Sequence, residues 1–107
     1  RYVYAGIFNT ERAFTFDGVM KYDNKSGITS EYIYGPNRHG GEAVFAPKVD
    51  GDLEDDGYLV CFVHDEAENQ SECQIIDARD ITAGPVATLI MPCRVPYGFH
   101  AGWVRTE

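Results

Sequence analysis

Short runs in which Tyr, Val, Ile, Phe and Thr alternate with polar residues, broken by Gly, Asn, Asp and Pro, recur along the whole chain. Period-two runs bounded by turn formers predict strands. They fall at 2–8, 14–23, 27–34, 42–47, 57–65, 71–78, 86–92 and 98–104. No window sustains a 3.6-residue apolar period long enough to predict a helix. The expected fold is therefore all-β, with antiparallel strands. Polar stretches at 23–27, 35–41 and 66–70 separate consecutive runs and have the composition of hairpin turns. Short strands joined in this way suit a sandwich, a barrel or successive blades of a propeller, and periodicity alone leaves the three open. No repeat, low-complexity tract or Ser/Gly linker divides residues 1–107, which are expected to form one domain or a piece of one.

Composition adds a core and removes some partners. With 44% hydrophobic residues in 107, the chain has enough apolar side chains for one modest core. It opens at Arg1 directly in a strand-like run, the expectation for a piece of a longer protein. Its formal charge of −8, from 17 acidic and 9 basic residues, would repel a phosphate backbone, so nucleic acid is not an expected partner. The apolar run 58–63 is far shorter than the ~20 residues that cross a bilayer as a helix. Cys61, Cys73 and Cys93 form no C-x-x-C pair, and their odd number favours a reducing compartment over a disulfide framework. Cys61, inside an apolar run, is expected as a small buried hydrophobe.

Few residues offer chemistry. In DGDLEDDG at 50–57, Asp52, Glu54, Asp56 and Gly57 match the first, third, fifth and sixth positions of an EF-hand loop, but the twelfth is Val63, which cannot chelate. A turn whose Asp side chains bond nearby backbone amides is expected instead. Gly40 and Gly41 precede a strand and not a helix, so they are expected to relieve a tight backbone and not to cradle phosphate. Glu42, just inside the apolar run AVF, is expected to face solvent unless a donor partners it. His39, in a polar turn, and His64, in a charged run, are expected to be exposed. His100 differs: strand alternation would place Phe99, Ala101 and Trp103 on one face and His100, Gly102 and Val104 on the other, an imidazole with a small neighbour and room for a ligand.

Three stretches, GGEAVFAP at 40–47, EDDGYLVCFVHDEAENQSECQIIDA at 54–78 and RVPYGFHAGWV at 94–104, preceded by FTFDGVMKYD at 14–23, together resemble the C-terminal part of the carotenoid cleavage oxygenases, in order and spacing. The resemblance covers nearly the whole chain. It implies that residues 1–107 are a C-terminal fragment of one seven-bladed β-propeller whose axis holds a non-haem Fe(II) through four histidines, and that the complete protein splits a conjugated double bond with O2. It implies that His100 is an iron ligand and Glu42 the carboxylate that hydrogen-bonds an iron-bound imidazole. A carotenoid, an apocarotenoid or a related polyene is the implied substrate, reaching the iron through an apolar tunnel to which Phe99 or Trp103 would contribute. Neutral imidazoles suit Fe(II), and a carboxylate behind one of them fixes its tautomer and offsets the metal's charge.

The sequence departs from the family at Ala101, where many relatives carry glycine, and it supplies one of the four histidines, since His39 and His64 match none of the others. The fragment alone is expected to be inactive. A stilbene-cleaving dioxygenase of the same family, or a non-catalytic propeller module in which His100 and Glu42 are structural, are the alternatives. The implied compartment is cytoplasm or plastid, with peripheral membrane contact outside this stretch because such substrates reside in lipid.

Overall fold

The computed structural model describes residues 1–11, 15–98 and 100–106. Its elements are β1 (Tyr2–Phe8), β2 (Phe16–Asp23), β3 (Thr29–Ile33), β4 (Arg38–Gly40), β5 (Val44–Pro47), β6 (Gly57–Asp65), β7 (Gln70–Asp77), a 3-10 turn at Ile81–Ala83 and β8 (Pro85–Ile90). All pairings among them are antiparallel. The all-β expectation holds, and seven of the eight predicted runs coincide with strands apart from their ends. Residue 14, the first of the second run, lies outside the described residues.

Two groups of strands share one sheet of order β1-β2-β4-β6-β7-β8. In the first, β2 is flanked by β1 on one edge and by β3 on the other. In the second, β5, β6, β7 and β8 form a four-stranded meander. The short β4 joins them, pairing Gly40 with Phe16 of β2 and residues 38–40 with residues 63–65 of β6.

Alternation decides which side chains fill the core. On β6, Leu59, Cys61 and Val63 point one way and are buried, and Leu59 lies opposite Ile76 of β7. Val19 of β2, Tyr34, Ala78 and Ile81 complete the cluster, with the 3-10 turn closing one side. Lys21, two residues from Val19 and on the same face, is 8% exposed. Its Nζ donates to Asp55 Oδ2 at 2.9 Å and to the Ala78 carbonyl at 2.8 Å, and it lies 4.2 Å from the Tyr2 ring centroid, so the buried charge is compensated.

The turns follow their side chains. At 23–27, Asp23 Oδ1 accepts the Lys25 N–H, and Gly27 takes a positive φ of 75° that closes the β2–β3 hairpin. At 66–70, Asp65 Oδ1 accepts the amides of Ala67 and Glu68. The stretch 35–41 is not a hairpin turn: it contains β4, which pairs with β2 and β6 and not with β3. Three residues with no apolar alternation gave no strand signal, and β4 exists because two longer strands leave edges for it to bridge.

Predicted strand 98–104 is not formed over the described residues 98 and 100–104. Among the described residues no strand pairs with it, and the Ala101 N–H goes to the Glu42 carboxylate instead. The alternating faces expected around His100 therefore do not apply, and Phe99 lies outside the described residues.

Candidate metal-ligand site

The site lies where the chain after β8 folds back over β6 and β7. Pro92 and Pro96 have no N–H, so this stretch cannot make a continuous ladder. Side chains hold it instead. The Val95 N–H, between the two prolines, donates to Ser71 Oγ at 2.9 Å. The Met91 N–H donates to the Ser71 carbonyl at 2.9 Å. Tyr97 places its hydroxyl 3.1 Å from Glu66 Oε1 and its ring edge-on to His64, with centroids 6.3 Å apart.

Gly41 is where this returning segment meets β4. A Cβ there would stand 2.9 Å from the Gly98 carbonyl oxygen and 3.0 Å from its nitrogen, so the glycine permits backbone to pack on backbone. That agrees with the reading of the Gly40-Gly41 pair as relief for a tight backbone. Glu42 follows immediately, and its Oε2 accepts the Ala101 N–H at 2.8 Å. The same oxygen lies 3.6 Å from His100 Nδ1, ion-pair range rather than hydrogen-bond length. The two residues singled out from the sequence are thus brought together by the fold.

Their surroundings differ from expectation. Glu42 precedes β5 rather than lying in a strand, and its side chain is 41% exposed. The His100 side chain is 85% exposed. With Nδ1 turned to the carboxylate, Nε2 is the ring nitrogen that would donate to a metal, the arrangement in which a carboxylate orients a ligating imidazole. This pair fits a share of a metal site and not a whole one: among the described residues no group of three or more His, Cys, Asp or Glu side chains could hold an ion. The buried thiols add nothing, since burial pushes Cys61 up to about 11 and raises Cys73 too, keeping both protonated near neutrality.

The other two histidines are not exposed. His39 lies on β4 with its side chain 13% exposed and Nδ1 2.7 Å from Asp17 Oδ1. His64 is 3% exposed and places Nδ1 2.9 Å from Ser71 Oγ, its cross-strand neighbour. Strand alternation puts His64 opposite the core face of β6, and it is buried because the segment after β8 covers that face. The sequence signal was a pair of prolines, Pro92 and Pro96, with a tyrosine directly after the second, which marks a non-strand segment able to lay an aromatic ring across a sheet. Glu72 and Gln74 are buried on β7 as well, linked by Gln74 Nε2 to Glu72 Oε1 at 3.0 Å, with Arg38 Nε 3.2 Å from the same oxygen.

In the acidic stretch, Asp56 Oδ2 accepts the amides of Asp52 and Leu53 at 3.1 Å each, as expected for an Asp-closed turn. Glu54 pairs with the N-terminal amine and Asp55 with Lys21.

A profile of the retinal pigment epithelial membrane protein family, RPE65, matches residues 1–105. A carotenoid 9,10(9',10')-cleavage dioxygenase of Crocus sativus is 42% identical over 125 aligned residues, covering 100% of this chain and 22% of the relative. The 9-cis-epoxycarotenoid dioxygenase NCED6, chloroplastic, of Arabidopsis thaliana is 46% identical over 87 residues, 81% of this chain and 15% of the relative. A solved structure of the Synechocystis apocarotenoid oxygenase, a Glu-to-Asp variant, superposes with a TM-score of 0.87 at 36% identity, covering 99% of this chain and 22% of that one. The chain thus spans about a fifth of the length of the Crocus dioxygenase and the Synechocystis oxygenase, and its antiparallel sheet matches part of the fold of the Synechocystis structure. By profile, identity and superposition, the chain belongs to the RPE65 family of carotenoid cleavage oxygenases.

Proposed function

We propose that residues 1–107 are the C-terminal part of a seven-bladed β-propeller enzyme, a non-haem Fe(II) dioxygenase that cleaves a conjugated double bond of a carotenoid or apocarotenoid with O2. The observation that carries this reading is the juxtaposition of His100 and Glu42 in a chain whose relatives are named for carotenoid and apocarotenoid cleavage. The β5–β8 meander has the form of one blade, and Leu89 and Ile90, both more than half exposed on β8, offer apolar surface to neighbouring blades.

Bound ferrous iron supplies the activation of O2 for double-bond scission. His100 contributes one neutral imidazole to it through Nε2, and the remaining ligands come from residues beyond this chain. Glu42 acts through Oε2, which fixes the backbone at Ala101 and faces His100 Nδ1. Oε1 has no hydrogen-bond donor among the described residues and is available to an imidazole N–H brought by another blade. The substrate is apolar and needs no general acid, base or nucleophile from this stretch. Trp103, 55% exposed, is placed to contribute to an apolar approach. The compartment is cytoplasm or plastid, and plastid is in keeping with the Arabidopsis relative's name. No helix among the described residues is long and apolar enough to cross a membrane, and contact with lipid would be made by parts outside this chain.

The test is to incubate the full-length iron-loaded protein under air with carotenoids, apocarotenoids and stilbenes and to analyse the products. Aldehyde or ketone fragments from carotenoids or apocarotenoids are expected. Cleavage of stilbenes alone would overturn the substrate assignment, and no cleavage of any member would overturn the enzymatic one.

A further inference from the structure

We propose that Ser71, braced by His64, is a positioning residue for the iron site: it clamps the segment that carries His100. This rests on the assignment of His100 as an iron ligand. Between the end of β8 at Ile90 and His100 the chain has no strand pairing among its described residues, and two of its residues are prolines without an N–H to offer. A segment of that kind has no ladder to fix where it goes. Hydrogen bonds that hold it among the described residues are Ser71 Oγ on the Val95 N–H, the Ser71 carbonyl on the Met91 N–H, and Glu66 on the Tyr97 hydroxyl.

Ser71 is suited to this role by its burial and by its partner. It is 2% exposed and His64 3%, so water does not compete for either. The hydroxyl can accept the Val95 amide with a lone pair while donating its own proton to His64 Nδ1, 2.9 Å away, which fixes the direction of that proton. The Tyr97 ring packs edge-on against the same imidazole, so one histidine braces both the hydroxyl and the aromatic of the returning segment. From Tyr97 to His100 the chain reaches at most about 10 Å, at ~3.3–3.6 Å per residue. Ligation tolerates displacements of about 0.5 Å, and the clamp holds the approach to His100 from the Tyr97 side while Glu42 Oε2 holds the Ala101 N–H on the other.

The experiment compares the full-length iron-loaded protein with Ser71→Ala, Tyr97→Phe and His100→Ala. Ile76→Val, in the core and away from the clamp, serves as a control for simple loss of stability. Iron loss to excess chelator is timed well below each variant's thermal midpoint, and the Co(II)-substituted forms are compared by visible absorption. Ser71→Ala is expected to lose iron at least tenfold faster, as when an outer partner of a metal ligand is removed, and to change the Co(II) spectrum. Tyr97→Phe should shift both in the same direction by less, and Ile76→Val should leave both unchanged. Wild-type iron retention and spectrum in Ser71→Ala and Tyr97→Phe, with iron lost from His100→Ala, would overturn the clamp and leave the ligand assignment standing. A full iron complement in His100→Ala would overturn the assignment and the clamp with it. Should Ser71→Ala not fold, Tyr97→Phe decides: wild-type retention there overturns the clamp.

Discussion

Gly41 lies directly beneath Gly98, so close that a methyl group on Gly41 would press on the Gly98 nitrogen, Cα and carbonyl oxygen at 3.0, 3.3 and 2.9 Å. Both surfaces are backbone, and neither has a flexible tip that could swing aside. This contact sits between Gly40, which belongs to β4, and Glu42, which holds Ala101. It is therefore the point at which the sheet sets the height of the segment that leads to His100.

Gly41→Ala is expected to lift that segment while leaving the core intact. Hydrogen exchange of the full-length protein should show faster exchange of the Ala101 amide, by more than the amides of Leu59 and Ile76, which follow only the change in global stability. Stability should fall by about 1–3 kcal/mol, the usual cost of forcing an extra methyl into a buried, rigid contact. Unchanged exchange at Ala101 would show that the close approach does not govern the segment.

Lys21 supplies a second test. Its ammonium is held by Asp55 and the Ala78 carbonyl, with side-chain exposures of 10% for Lys21 and 13% for Asp55. Lys21→Met keeps the stem but strands the carboxylate, and should cost about 3 kcal/mol. Adding Asp55→Asn should recover part of that loss, so the double variant is more stable than the sum of the single ones predicts. Denaturant unfolding of the four proteins measures the coupling; strict additivity would contradict the pairing.

The cysteines should react in an order set by burial. Cys93 is exposed, whereas the Cys61 thiol is buried and pushed up to about 11. A thiol reagent at pH 8 should label Cys93 first and Cys61 only after denaturation, because below about pH 11 the Cys61 thiolate is the minority form and is shielded as well. Mass mapping of the labelled sites checks this, and prompt labelling of Cys61 in the folded protein would contradict its placement.

The sequence revealed the strands that alternate and missed what alternation does not encode. The β6 run from Gly57 to Asp65 was legible because Leu59, Cys61 and Val63 recur with period two, and 23–27 because Asp and Gly are the residues its turn requires. The short β4 has no such pattern, since its place is set by the edges of β2 and β6. His64 was expected in water because its neighbours are charged, yet a segment far along the chain covers it. For the site, family resemblance named Glu42 and His100 and the structure brought them together, but Ser71 carried no signal: a lone serine beside a turn gains its meaning only from the Val95 amide above it.

The central claim is that His100 ligates iron, and the most direct measurement is the iron content of the full-length protein carrying His100→Ala. Loss of one of a few imidazole donors is expected to leave the purified variant with little or no bound iron while its circular dichroism matches that of the parent. A variant that retains iron at the stoichiometry of the parent protein would contradict the account.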